Sequence, residues 1–357
     1  MWNIQGRLTG RGVFMLAILI KDDSHYWFKG HAVVPASRLD AAQWRPDWPS
    51  HADMKLATYS DGSRDGQLVV VSRDLRHAHY ATHVAGRLQQ VLDDWNFLSP
   101  QLQDIYDSLN SGRAPHAFAF EPQRCLAPLP RAYQCLQADA WLPEAPTPQL
   151  RQAVSDPLYP AHAGLLLPSE RAQGDLAVGL AAVTGDLPPS ASSDQALAGI
   201  RLLMLCSQLR WQGLDDAALA QPLTAFSPVA LTPDELGDSW QDGRLQLTLQ
   251  FSGNGRKLGM CDTGSDMTQG LHELLARLCS LRPLRAGSVL CAAPVRNQDT
   301  RKGQCSLADR RALEQQRDGH ISTPWLQPGD VWRVEARSRQ GTALFGILEH
   351  EVLLAAD

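Results

Sequence analysis

Between Asp175 and Asp186 the chain runs LAVGLAAVTG without a charged side chain, and Thr184 is the single polar one. So apolar a run has to be buried, and its Leu, Val, Ala and Gly, closed by Thr184-Gly185-Asp186, read as a strand entering a turn. With a period of two, Leu176, Val178, Leu180 and Ala182 share one face, and Ala177, Gly179, Ala181 and Val183 share the other. The first face is bulky. The second begins almost empty, at Ala177 and Gly179, and the question is what stands opposite it.

The surrounding text is that of a soluble, mainly β chain. Its 357 residues, 44% hydrophobic and 20% charged, suffice for two cores. A net charge of −5 with no long basic run argues against nucleic-acid binding through a charged patch. Seven scattered cysteines, an odd number with no C-x-x-C, fit free thiols in a reducing compartment, and the expected location is the cytoplasm. The apolar run Val13–Ile20 is too short to span a bilayer, and Lys21, Asp22 and Asp23 follow it with no A-x-A-like cleavage site. It reads as a buried strand or a non-native leader, so no membrane is expected. No lysine occurs between Lys55 and Lys257, which removes amine catalysis from the middle of the chain.

Three regions follow. Residues 1–53, rich in Trp, His and Pro, are expected to be an extension upstream of a natural start at Met54. Residues 54–125 read as a small N-terminal α/β domain. They open with a hairpin about Asp61-Gly62-Ser63. Two helices follow, carrying Val84, Leu88, Val91, Leu92 and Trp95, then Leu102, Ile105, Tyr106 and Leu109, separated by Pro100 and closed by Gly112. Residues 126–357 read as a larger β domain. Residues 125–170 are Pro-rich loops with short strands. Ser192 and Gln195 form a capping box, and Leu202–Cys206 is either the end of a helix or a buried strand. Leu245, Leu247, Leu249 and Phe251 alternate with polar residues up to an Asn254-Gly255 turn. Leu271, Leu274, Leu275 and Leu278 stripe an amphipathic helix, and strands flank the Pro-Gly-Asp turn at 328–330.

These blocks carry a resemblance. "MKLATYSDGSRDGQLVVVSRD" (54–74), "RLQQVLDDWNFLSPQLQDIYDSLN" (87–110), "LAPLPRAYQ" (126–134), "AVTGDLP" (182–188), "GIRLLMLCSQ" (199–208), "TAFSPVALTPDELG" (224–237), "LTLQFSGNGRKLGMCD" (247–262), "LRAGSVL" (284–290) and "GDVWRVE" (329–335) are similar to bacterial members of the fumarylacetoacetate hydrolase family, in the family's order. The resemblance implies an α+β, mainly β protein with a small N-terminal domain, a mixed β-roll and a homodimeric assembly. It also implies cleavage of carbon–carbon bonds in β-diketo acids, as in aromatic amino acid catabolism. Mg²⁺, Ca²⁺ or Mn²⁺ would be held by carboxylates to stabilise enolate charge while a His–acid pair activates water.

The residues at the family's ligand positions depart from that pattern. The family's Glu-x-Glu pair, counted back from Thr184-Gly185-Asp186, falls on Ala177 and Gly179, and its third ligand, an aspartate, falls on Gln208. One amide does not replace two or three carboxylates around a hard cation. The lysine before "TAFSP" is missing from "DDAALAQPL" (215–223), and nothing in "CLQADAWLPEAPTPQLRQAVSDPLYP" matches the family's catalytic acid and histidine. A Gly-Ser-Gly-Thr turn is replaced by "CAAP" (291–294), where Pro294 has no N–H to donate. A downstream glutamate is matched only by Asp309.

Local alternatives read as structural. His77, His79 and His83 lack a fourth zinc ligand nearby, and Cys291 with His272 or His320 lacks the context of a thiol nucleophile. Asp93-Asp94 and Asp215-Asp216 read as solvated helix faces or caps, and "SGNG" (252–255) as a hairpin turn. The expectation is therefore a non-catalytic homologue with no bound metal, no assigned catalytic residue and a vestigial cavity at Ala177, Gly179 and Gln208, which could still take a small oxo-acid. The alternative is an active hydrolase of fumarylacetoacetate-type or acylpyruvate substrates with relocated ligands. Asp175 and Asp309 are the main candidates for relocation, with Asp186, Glu144 and Asp156 behind them.

Overall fold

The computed structural model describes residues 53–141, 147–214 and 216–355, and the backbone of three strands nearer the N-terminus. Those strands, Asn3–Thr9, Val13–Asp22 and His25–Pro35, pair antiparallel in a unit covering Met1–Ser50, and a second unit covers His51–Asp357. Val13–Ile20 is thus strand, as its apolar run suggests. Glu144 and Asp215 lie outside the described residues.

Among the described residues the second unit holds an eleven-stranded sheet and a five-stranded sheet. Gly174–Thr184 and Ile200–Trp211 are the long central pair of the larger sheet, antiparallel with Ala177 opposite Gln208 and Asp175 opposite Arg210. On one side Val289–Ala292 joins Gly174–Thr184, followed by Cys135–Ala138 and Leu150–Ala153. On the other side Ala230–Leu231 connects to the hairpin Lys55–Tyr59 and Gln67–Val71, then to His77–Tyr80. The smaller sheet runs Leu165–Leu167, Leu348–Leu354, Val331–Arg337, Thr248–Gly253, Arg256–Asp262. The fold is α+β and strand-dominated.

The absence of charge in 176–185 now has its cause, because the strand is covered on both faces. Leu176, Val178, Leu180 and Ala182 join Leu249, Phe251, Val334, Leu348 and Val352 in one core between the two sheets. Ala181 and Val183 join Leu56, Val70, Leu88, Val91 and Leu102 in a second core, under the N-terminal helices. Leu202–Cys206 is strand, packed the same way.

Local signals place most elements. Gln195 N–H donates to Ser192 Oγ at 3.2 Å, and Ser192 N–H to Gln195 Oε1 at 2.9 Å, the reciprocal box that starts Ser193–Gly199. Asn254 and Gly255 both adopt positive φ, 50° and 74°, as a tight hairpin turn demands. The helical region departs from expectation. Trp95–Asn110 runs straight through Pro100, and the break falls at Asp94, whose φ of −131° and ψ of 48° separate it from Leu88–Asp93. Pro100 sits in the second turn of the longer helix, where its missing N–H forfeits one hydrogen bond and does not end the helix.

One buried polar contact ties the sheets together. His350 has no exposed surface, and its Nδ1 lies 2.8 Å from Ala163 O while its Nε2 lies 2.8 Å from Ser207 Oγ. A carbonyl only accepts, so Nδ1 carries a proton; burial disfavours a second one, so Nε2 accepts from the Ser207 hydroxyl and the ring is neutral. Burial away from water pushes its pKa down to about 4. The unfolded chain takes up this proton near pH 6.5, so stability from neutral His350 is complete above that pH and is lost as pH falls towards 4, by about 3 kcal/mol at most. Urea unfolding at pH 7 and pH 4.5 should register most of this loss. His350→Asn, which keeps a donor and an acceptor but cannot titrate, should flatten the dependence; an unchanged slope would contradict the assignment.

Candidate functional site

Ala177 and Gly179 belong to neither hydrophobic core, because other backbone comes up against that part of the strand. A Cβ placed on Gly179 would lie 2.0 Å from Ala292 O and 2.8 Å from Ala293 Cβ. Ala177 bridges to Ser306, and Val178 N–H donates to Cys305 O at 2.9 Å. The vestigial cavity expected at these positions is therefore not open at Gly179, since the chain at 292–293 occupies the space a side chain would use. Small residues here permit close backbone approach.

The "CAAP" turn offers a ligand little. Ala293 N–H donates to Ala138 O at 3.3 Å, Pro294 has none, and Val295 N–H donates to Val178 O at 3.1 Å. A backbone anion cradle needs free N–H groups, and these are spent.

Of the carboxylates named as candidates for relocation, Asp175, Asp309 and Asp186 are also engaged. Asp175 is almost wholly buried, and its Oδ1 accepts from Leu307 N at 2.8 Å and Ala308 N at 3.0 Å. These are orphan donors at the start of helix Leu307–Asp318, so Asp175 caps that helix together with Ser306, whose Oγ accepts from Asp309 N. Burial pushes the Asp175 carboxyl above the usual carboxylate range, against the pull of the Ala308 and Leu307 N–H groups. Asp309 makes a two-pronged pair with Arg296, at 2.8 and 3.2 Å, and the same guanidinium reaches Asp139 Oδ1 at 2.5 Å. Burial raises the Asp139 pKa, and Arg296 opposes that rise. Asp186 accepts from Ala286 N at 3.1 Å, and Asp156 is exposed. Among the described residues no group of three or more His, Cys, Asp or Glu is arranged to hold a metal ion.

Gln208 has no exposed surface. Its Oε1 accepts from Arg210 Nη2 at 2.5 Å, and the same nitrogen donates to Ala293 O at 3.0 Å. The guanidinium thus spans from a ligand position of the resembled family to the backbone packed on Gly179. Burial lowers the Arg210 pKa, and Asp175 across the strand pair counters it. Arg210, Arg296 and Asp139 surround these positions and are not singled out by the sequence. Arg210 shares strand parity with Gln208, which was a usable signal, whereas Arg296 and Asp139 lie in loops with no periodic marker.

The other local signals resolve structurally. His79 and His83 meet edge to face at 6.2 Å between ring centres. Cys291 is fully buried beside Cys135 and Cys206, and hydrogen bonding to those thiols, with burial, raises its pKa well above the usual thiol value. A thiol held protonated is a poor nucleophile. All seven cysteines are free and buried.

The sequence match decides the family. The description "Fumarylacetoacetase N-terminal domain 2" matches residues 54–131, and "Fumarylacetoacetate (FAA) hydrolase C-terminal" matches residues 136–353. The chain belongs to the fumarylacetoacetate hydrolase family. Solved structures with the family's fold include the maleylpyruvate hydrolase from Sphingobium sp. SYK-6, 13% identical over 85% of this chain and 100% of that one, with a TM-score of 0.61. The fumarylacetoacetate hydrolase from psychrophilic Exiguobacterium antarcticum is 16% identical over the same shares, with a TM-score of 0.57. The 2-hydroxyhepta-2,4-diene-1,7-dioate isomerase from Mycobacterium marinum is 13% identical over the same shares, with a TM-score of 0.52. No curated protein matches the chain. No helix among the described residues is long and apolar enough to cross a membrane.

Within this family fold, the packing at Gly179 makes a direct prediction. Gly179→Ala places a methyl against a carbonyl that cannot retreat without moving the Val289–Ala292 strand, so it should destabilise by about 3 kcal/mol or more. Chemical denaturation of the variant against wild type measures this. A loss under about 1 kcal/mol would mean that the face is open after all.

Proposed function

We propose that this chain is a member of the fumarylacetoacetate hydrolase family that performs no metal-dependent carbon–carbon hydrolysis and has kept the fold as a binding module. The observation that carries this reading is the Arg210 guanidinium held by Gln208 Oε1 and Ala293 O. A cationic side chain there takes the oxygen that a divalent cation would need, and its charge repels such an ion.

The donor set supports the same conclusion. Mg²⁺ wants six oxygens in a near-ideal octahedron, and Ca²⁺ six to eight. Ala177 and Gly179 bring none, Gln208 brings an amide oxygen already bonded, and Asp175 faces the start of a helix. Asp139 and Asp309 share the Arg296 guanidinium. The residues present do not fit the family's metal. The missing lysine and the spent N–H groups of the 291–294 turn remove two further means of stabilising enolate or carboxylate charge.

Purified protein should carry no stoichiometric Mg²⁺, Mn²⁺ or Ca²⁺ by elemental analysis, and should leave acylpyruvates uncleaved in their presence. Added Mg²⁺ at millimolar concentration should not raise the melting temperature, because a ligand stabilises only a state that binds it. A tightly held ion whose removal abolishes acylpyruvate cleavage would favour the active-enzyme reading and overturn this one.

A further inference from the structure

Beside Arg210 lies a cavity of about 30 Å³, lined by Gln137, Asp139, Gln149, Arg151, Arg210 and Ala293. A single water requires about 10–15 Å³, so there is room for a small polar group. The polar atoms around it are unevenly satisfied. The carbonyls of Ala138 and Ala293 already accept, from Ala293 N–H and Arg210 Nη2. Asp139 is paired with Arg296, and Gln149 Oε1 accepts from Arg151.

The unused groups are donors. Gln137 Nε2 and Arg210 Nε are buried without a partner, and so is Gln208 Nε2, whose residue does not line the cavity. Gln137 is only 8% exposed, so water does not readily serve it. Arg210 has no carboxylate in ion-pair contact among the described residues; its bonds are to an amide oxygen and a backbone carbonyl. Buried polar groups are nearly always paired, and a buried cation without a counter-charge is costly. Neutral acceptors are spent and donors remain, beside a guanidinium that has Asp175, Asp139 and Asp309 near it but none in ion-pair contact, and a second arginine at the mouth. The complement of that arrangement is an oxyanion.

We propose that Arg210 and Gln137 form a metal-independent site for a single carboxylate group, with the rest of the ligand leaving the cavity past Gln149 and Arg151. A carboxylate offers two oxygens to the lining residues Gln137 and Arg210 and a charge to the guanidinium. Both flanking residues at the mouth are exposed, so the ligand's remainder faces solvent. The site rests on the reading that this pocket works without a divalent cation. It differs from metal chelation of an oxo-acid, because one carboxylate suffices and no neighbouring keto oxygen is needed.

The test is calorimetric or NMR titration of the full chain with acetate in EDTA, with acetamide as the uncharged isostere. Saturable acetate binding at millimolar concentration is expected, with no acetamide binding. Arg210→Gln should weaken acetate at least tenfold. Gln137→Leu, which leaves the guanidinium and its bonds in place, should weaken it several-fold and guards against a folding defect in the arginine variant. Absence of acetate binding with or without Mg²⁺ would overturn this site and leave the non-catalytic reading standing. Acetate binding that requires Mg²⁺ would overturn both. Wild-type affinity in Gln137→Leu, or in a folded Arg210→Gln, would also overturn the site.

Discussion

At Gly179 the central strand comes so near to the carbonyl of Ala292 that a single methyl group would collide with it. Most of the site follows from that contact. With the 291–294 turn seated on the strand, Ala293 O comes within reach of Arg210, and Ala293 N–H is drawn to Ala138. On the same edge, Ala177 lets the 305–308 segment approach, which brings the start of helix Leu307–Asp318 onto Asp175. The small residues thus fill the region with backbone, and the carboxylate that remains is consumed in capping a helix.

The electrostatics then differ in kind from those of a cation site. Asp139, Asp175 and Asp309 do lie around this region, and their partners separate their roles: Asp139 and Asp309 face one guanidinium, and Asp175 faces two backbone N–H groups. The lone pairs of these carboxylates are thus taken up by Arg296 and by helix N–H groups and do not converge on a common point. Arg210 is the exception, a half-buried cation bonded only to neutral oxygens. On the proposed reading, that guanidinium suits an anion at a place where a metal-dependent relative would need a cation.

Much of the fold was legible because its signals are local. Asn254-Gly255, the Ser192–Gln195 box and the alternation through Phe251 each fix an element within a few residues. Pro100 misled because its position within the helix, and not its presence, decides whether the helix breaks; the break at Asp94 has no comparable residue signature. The positions of Ala177, Gly179 and Gln208 could be counted from the Thr184-Gly185-Asp186 turn, but what fills the space beside them could not. The answer comes from segments more than a hundred residues away in sequence: Ala292–Ala293 and Ser306 on Gly174–Thr184, and Arg296 on Asp139. Gln137 lies in a Pro-rich region without periodicity, where no role could be assigned from pattern.

Mn²⁺ is the most direct probe of the central claim, since it is a family metal and is visible both by anomalous scattering and by electron paramagnetic resonance. Crystals of the full chain soaked in Mn²⁺ should give no anomalous peak between Gln208, Arg210 and Asp139, and the solution spectrum should remain that of the hydrated ion. An ordered Mn²⁺ ligated there, with Arg210 swung aside and carboxylates turned inward, would contradict the account.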